Sequence, residues 1–251
     1  MLVAVGDAFR SGADQALLYR TCVAVGREEA FQGITARART AQLVALVGLV
    51  LVGGLVVHAW GFVAGWIAET ALALVGLGLA CAMAEPPAVV DTDPSSAIVN
   101  HAPMLSFAMA MLILPASLVA AQASAASFLV QTAVAASAET MTLLVAVITL
   151  CEAAGSAVAS RLPVLRVNIQ PLLALGTTTL SVLMLVSPAT SHGVTLALSF
   201  VVGLAEPLRD AAVQRLAKDD VRARAASLAS MCDKAFMTAA LPLAGVWRRR
   251  R

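Results

Sequence analysis

The stretch GDAFRSGADQALLYRTCVAVGREEAFQGITARARTAQL, Gly6 to Leu43, sets acids and arginines every few residues at the head of a chain that then has no lysine or arginine from Thr40 to Ser160. Asp7, Arg10 and Asp14 are spaced by three and four residues, so on a helix they share one face, where the arginine can pair with either acid. The basic residues that follow, Arg20 to Arg39, stop where a long apolar run begins. A chain entering a bilayer shows that change: charges hold the near side, and the next turns need none.

Composition supports the same reading. Hydrophobic residues make up 60% of the 251 and charged ones 13%, and the mean hydropathy is +0.87. A soluble domain of this length needs more charge to solvate its surface, whereas helices in lipid satisfy their backbone internally and present Leu, Val and Ala outward. Strand-type alternation is missing, which argues against a barrel. The expected fold is all-α, a polytopic transmembrane helix bundle rich in the small residues that allow close helix approach. The opening lacks the basic n-region of a signal peptide. The four cysteines lie far apart without metal or redox spacing and read as small core residues.

A span needs about 20 apolar residues. Ala41 to Val57, Phe62 to Ala84, Met104 to Ala121 and onward to Thr132, Thr140 to Ala159, and Gln170 to Val186 qualify. Thr195 to Leu216 and Ala225 to Val246 are interrupted by polar residues, and Met1 to Val25 is the weakest window, giving eight helices. His58 to Gly61 reads as a turn. The Pro-, Ser- and acid-containing stretch 85–102 reads as a linker between a three-helix lobe (1–84) and a five-helix lobe (103–247), with a basic tail at 248–251. The positive-inside rule places the loops carrying Arg20 to Arg39, Arg161 to Arg166 and Arg215 to Arg224 on the cytoplasmic side. On this reading Arg37, Arg39, Arg161, Arg166, Arg222 and Arg224 are cytoplasmic anchors, and Asp219, Asp220 and Asp233 are available to pair with them.

Two of these loops match each other. ITARARTAQL after the first helix and DVRARAASL after the seventh both put Arg-Ala-Arg at the mouth of a helix, and each follows a charged, small-residue helix, GDAFRSGA or GLAEPLRDAA. Internal symmetry of this kind is a mark of secondary transporters. The segments Gly6 to Tyr19 and Gly26 to Leu43 resemble the fourth helix and the following loop of the major facilitator superfamily. GLAEPLRDAAVQRLAKDDVRARAASL from Gly203 is similar to that family's tenth helix and the loop after it, and GSAVASRLPVLR from Gly155 to its signature between helices eight and nine. The resemblance implies a two-lobe transporter of the inner membrane, moving a small solute by alternating access, of which this chain covers about family helices four to eleven. The family's signature between helices two and three has no counterpart, and the inter-lobe loop is short and acidic rather than long and basic. The even helix count also puts Arg248 to Arg251 on the non-cytoplasmic face. These departures leave open a truncated, non-transporting membrane remnant; a membrane scaffold subunit is the third reading.

No nucleotide, nucleophile or metal motif is visible, so an enzyme is not expected. His58, His101 and His192 are isolated at helix ends. The partners implied are the lipid bilayer and a small solute, with no nucleic acid and no cofactor. The residues left to carry function are ionisable groups inside apolar helices, which are costly there. Asp7, Arg10 and Asp14 in the first helix and Glu206, Arg209 and Asp210 in the seventh are expected to line or gate the substrate path. Glu152, flanked by LLVAVITLC and AAGSAVAS, is either a carboxyl that takes up a coupling proton or a structural hydrogen-bonding group. Glu69 reads as an interface residue.

Overall fold

The computed structural model describes residues 15, 17–82, 107–134, 138–162, 169–187, 190–217 and 222–249. Every regular element among them is helical. A short helix α1 (17–24) leads through Gly26, whose φ of 66° suits a residue without Cβ, to a 3-10 turn Glu28–Ala30. Then come α2 (Phe31–Ala82), α3 (Phe107–Val134), α4 (Ala138–Ala159), α5 (Gln170–Val186), α6 (Ser191–Leu216) and α7 (Arg222–Arg249).

Among the described residues, three helices are long and apolar enough to cross a membrane, over Glu28–Leu79, Phe107–Ala133 and Glu139–Ala159. The fourth apolar helix, Gln170–Val186, is shorter. The helices α6 and α7 are not among these three, and in α6 two of the charged residues, Arg209 and Asp210, are buried within the bundle. The bundle encloses its charge rather than lacking it. The opening segment before residue 15, the linker 85–102 and the last two residues of the basic tail lie outside the described residues.

The element α2 differs from the expected pair of helices joined by a four-residue turn. Helix continues through His58 and Trp60, and the break is confined to Gly61, with φ 80° and ψ 174°. A straight helix of 52 residues would run about 78 Å, more than twice the ~30 Å hydrocarbon core. Gly65 instead lies against the Val57 side chain, so that a Cβ there would be 3.0 Å from Val57 Cγ2. Along a straight helix those residues would be about 12 Å apart, so the chain bends sharply at Gly61. This backbone region is essentially closed to residues with a Cβ. Gly61→Ala should therefore cost about 1–3 kcal/mol of stability, whereas Gly53→Ala, at a helical site with nothing within 4 Å, should be neutral or stabilising. Thermal melts of the two variants in detergent check this, and equal melting temperatures would refute the assigned strain.

The arm of α2 before Gly61 packs antiparallel to α4. Gln32 Nε2 donates to the carbonyls of Ala159 and Leu162 at 3.5 and 3.3 Å. Ser156 Oγ donates to Ala36 O at 3.0 Å, and at the far end His58 lies 3.5 Å from Glu139. The arm after Gly61 is exposed along most of its length, including Trp66, Ile67, Leu74 and Leu77. Cys81 lies on it and is exposed too, so it is not the core residue expected; Cys22 is buried, and Cys151 and Cys232 are half-buried.

The helix α6 is the hub, touching α2, α3, α4, α5 and α7. Its contact with α4 is set by two glycines. A methyl on Gly155 would land on the Phe200 carbonyl oxygen, and one on Gly203 on the Glu152 carbonyl oxygen. The absence of both side chains lets the two backbones meet. On other sides of α6, Gln170 Nε2 donates to Ala205 O at 3.0 Å, and Tyr19, Cys22 and Phe31 pack with Ala211. Since α2 lies against both α4 and α6, the segment assigned by sequence to the first lobe sits directly on helices assigned to the second.

Candidate functional site: a charged cavity inside the bundle

The close approach at Gly155 and Gly203 has a consequence one turn away on each helix. Glu152 precedes Gly155 by three residues, and Glu206 follows Gly203 by three. Both carboxylates are thereby brought to the same arginine. Arg39 Nη2 lies 2.8 Å from Glu152 Oε1 and 2.9 Å from Glu206 Oε2, tying α2, α4 and α6 at one nitrogen.

A second cluster lies on the α7 side. Arg209 Nε and Nη2 are each 3.0 Å from Asp210 Oδ1, and Nη1 donates to Asp233 Oδ2 at 2.6 Å. The other carboxylate oxygens are taken as well. Gln15 Nε2 donates to Asp210 Oδ2 at 2.6 Å, and Ser117 Oγ to Asp233 Oδ1 at 2.7 Å. The Arg209, Asp210 and Asp233 side chains are only 7%, 12% and 13% exposed. Charged groups survive such burial only when paired and hydrogen-bonded, and here both conditions hold.

Both clusters face one cavity of about 1070 Å³, bounded by residues of α1, α2, α3, α4, α6 and α7. Its lining alternates charge with hydroxyl and amide groups, and Phe128, Ile148 and Met237 supply apolar wall. Pro207 adjoins Glu206 on this wall; having no N–H, it leaves the Gly203 carbonyl without its helical donor.

Of the residues singled out by sequence, Glu152, Glu206, Arg209 and Asp210 meet in this cavity. Asp7, Arg10, Asp14 and Arg166 lie outside the described residues, as do Asp219 and Asp220. Arg222 opens α7, but its side chain is not among those described. Arg37, Arg161 and Arg224 are exposed at helix ends. Arg39, read as an anchor in a loop, is instead a residue of α2 that turns into the bundle. The reason is helical phase: Ala36, Arg39, Leu43 and Val47 recur every three or four residues, and Ala36, Leu43 and Val47 are all buried. Arg37 lies off that stripe.

Asp233 likewise turns inward and pairs with Arg209, while Arg224 is exposed. It follows Ala226 and Ala229, both buried, at spacings of three and four. The signal for both residues was the phase of a charged residue within an apolar stripe. Glu69 is exposed on the second arm of α2.

Comparison with protein-family models, with curated proteins and with solved structures returns no match to this chain.

Proposed function

We propose that the chain is a transporter of the major facilitator type, lying as a multi-pass protein in the inner membrane and moving a small polar solute by alternating access. The observation that carries this reading is the cavity, whose wall holds Arg39, Arg209 and Lys234 together with Glu152, Glu206, Asp210 and Asp233. Ionisable groups inside an apolar bundle cost several kcal/mol each and are by default functional. Here they converge on open space large enough for a small organic solute rather than on a packed core. The resemblance of Gly6 to Tyr19, Gly26 to Leu43 and Gly203 to Leu228 to the family's helix-and-loop segments supports the same reading. In it, exchange of partners by Arg39 between the acids of α4 and α6 accompanies the switch between outward- and inward-facing states, and Glu152 carries a coupling proton.

Flux into proteoliposomes tests the proposal, with a radiolabelled panel of small amines, amino acids and sugars as probes. Wild-type vesicles should accumulate at least one of them. Arg39→Ala and Glu152→Gln should each slow that uptake by more than about tenfold, the effect of about 1.4 kcal/mol on a barrier. Undiminished uptake in both variants would remove the gating and proton roles. Wild-type vesicles that accumulate none of the probes would favour the non-transporting remnant or scaffold reading.

A further inference from the structure

The two charge clusters of the cavity are built differently, and the difference names a ligand class. Around Arg209 every carboxylate oxygen of Asp210 and Asp233 receives a donor. Around Arg39, two carboxylates share a single Nη2 nitrogen through one oxygen each. No hydrogen bond or ion pair beyond these reaches Glu152 or Glu206 among the described residues, which leaves Glu152 Oε2 and Glu206 Oε1 without a donor there, and Arg39 Nε is buried without a partner among them. The Arg39, Glu152 and Glu206 side chains are 31%, 20% and 25% exposed, against 7%, 12% and 13% for Arg209, Asp210 and Asp233 in the closed cluster. Among the described residues one cluster is complete, and the other presents carboxylate oxygens without donors to the cavity.

We infer that Glu152 and Glu206 recognise the ammonium group of a small, hydrophilic, singly charged organic cation, which competes with Arg39 for the two carboxylates. The inference rests on the transport reading and specifies its solute. With their carboxyls ionised, two acids against one guanidinium leave one negative charge uncompensated, and the described residues of the cavity wall, four acids and three bases among them, leave the same. A monocation closes that balance where charge interactions are strengthened by low dielectric. An ammonium group brings three N–H donors to the free oxygens. Thr35, Gln42, Ser124, Gln131 and Ser230 offer hydroxyl and amide partners to the rest of the solute. Among the described residues of the wall Phe128 is the one aromatic side chain, and they do not supply the stacked aromatic faces that hold quaternary ammonium ions. Among the described residues no three His, Cys, Asp or Glu side chains gather as a metal site would require.

Thermal melting of the purified full chain in detergent tests this with chloride salts of ethanolammonium, tetramethylammonium and sodium at matched concentration. Ethanolammonium should raise the melting temperature, and the other two should not. The apparent affinity read from the concentration dependence should fall about tenfold or more in Glu152→Gln and in Glu206→Gln, each checked for a cooperative melt without ligand. An equal shift with sodium or tetramethylammonium, or a shift unchanged in both variants, would overturn the inference. A shift with sodium acetate but not with ethanolammonium would assign recognition to Arg39 and overturn it too. The vesicle assay separates the two levels. Uptake of another solute with no ethanolammonium shift overturns the solute class and leaves transport standing; a shift without uptake of any probe upholds the cation site and overturns transport.

Discussion

Replacing Gly203 with leucine is expected to drive α4 off α6 and to lower the stability of the bundle by about 3 kcal/mol or more, the upper end of the overpacking range. The obstacle is backbone: the added side chain meets the Glu152 carbonyl, which cannot rotate aside without breaking its own helix. Gly155→Leu should do the same against Phe200. The control is Gly76→Leu, on the second arm of α2, where a Cβ has nothing within 4 Å; a leucine there should gain helix propensity and cost nothing. Chemical or thermal unfolding in detergent, followed by helical circular dichroism, measures all three. If Gly203→Leu melts with the wild type, the two helices do not meet at their glycines.

Arg209→Ala is expected to be about as damaging, for an electrostatic reason. Removing the guanidinium leaves Asp210 and Asp233 buried side by side with no countercharge, and breaking a buried pair in this way costs about 3–5 kcal/mol. Adding Asp210→Asn and Asp233→Asn to the same chain should recover most of the loss, because neutral amides remove the stranded charge and keep the Gln15 and Ser117 contacts within reach. Recovery in the triple variant identifies the charge as the cause. A triple variant no better than Arg209→Ala would mean that the arginine acts through packing along its stem. Arg39→Ala should disturb stability less, since its cluster is more open to the cavity, and should weigh more on uptake.

Composition and apolar run length made the helical class legible, because a bundle in lipid advertises itself in both. The windows Thr140 to Ala159 and Gln170 to Val186 fall almost on α4 and α5. The apolar windows on either side of His58 to Gly61 fixed where α2 bends but not how briefly, since a glycine at positive φ breaks a helix in one residue where a turn of ordinary residues needs several. Glu152, Glu206, Arg209 and Asp210 stood out because a charge inside an apolar run is conspicuous. Arg39 and Asp233 did not, because both sit at the edges of charged segments where a solvated anchor and an inward-facing partner have the same local composition. Only their phase relative to Ala36 and Leu43, or to Ala226 and Ala229, tells them apart. The glycine contact between α4 and α6 was legible in neither place: "AAGSA" and "VVGLA" look like ordinary small-residue packing until the two helices are seen to cross there.

The position of α6 has a consequence for how this sequence can change over time. Its buried residues run from Val194 to Gln214, and helices on every side lean on it, so nearly every substitution along it must be answered by one elsewhere. The second arm of α2 is the opposite case: exposed to its surroundings for most of its length, it can exchange leucine for valine or isoleucine freely as long as it stays apolar and keeps Gly61. Drift should therefore accumulate in the arm and stall in the hub, and a related sequence would be recognised by its α6 long after its α2 had become unrecognisable.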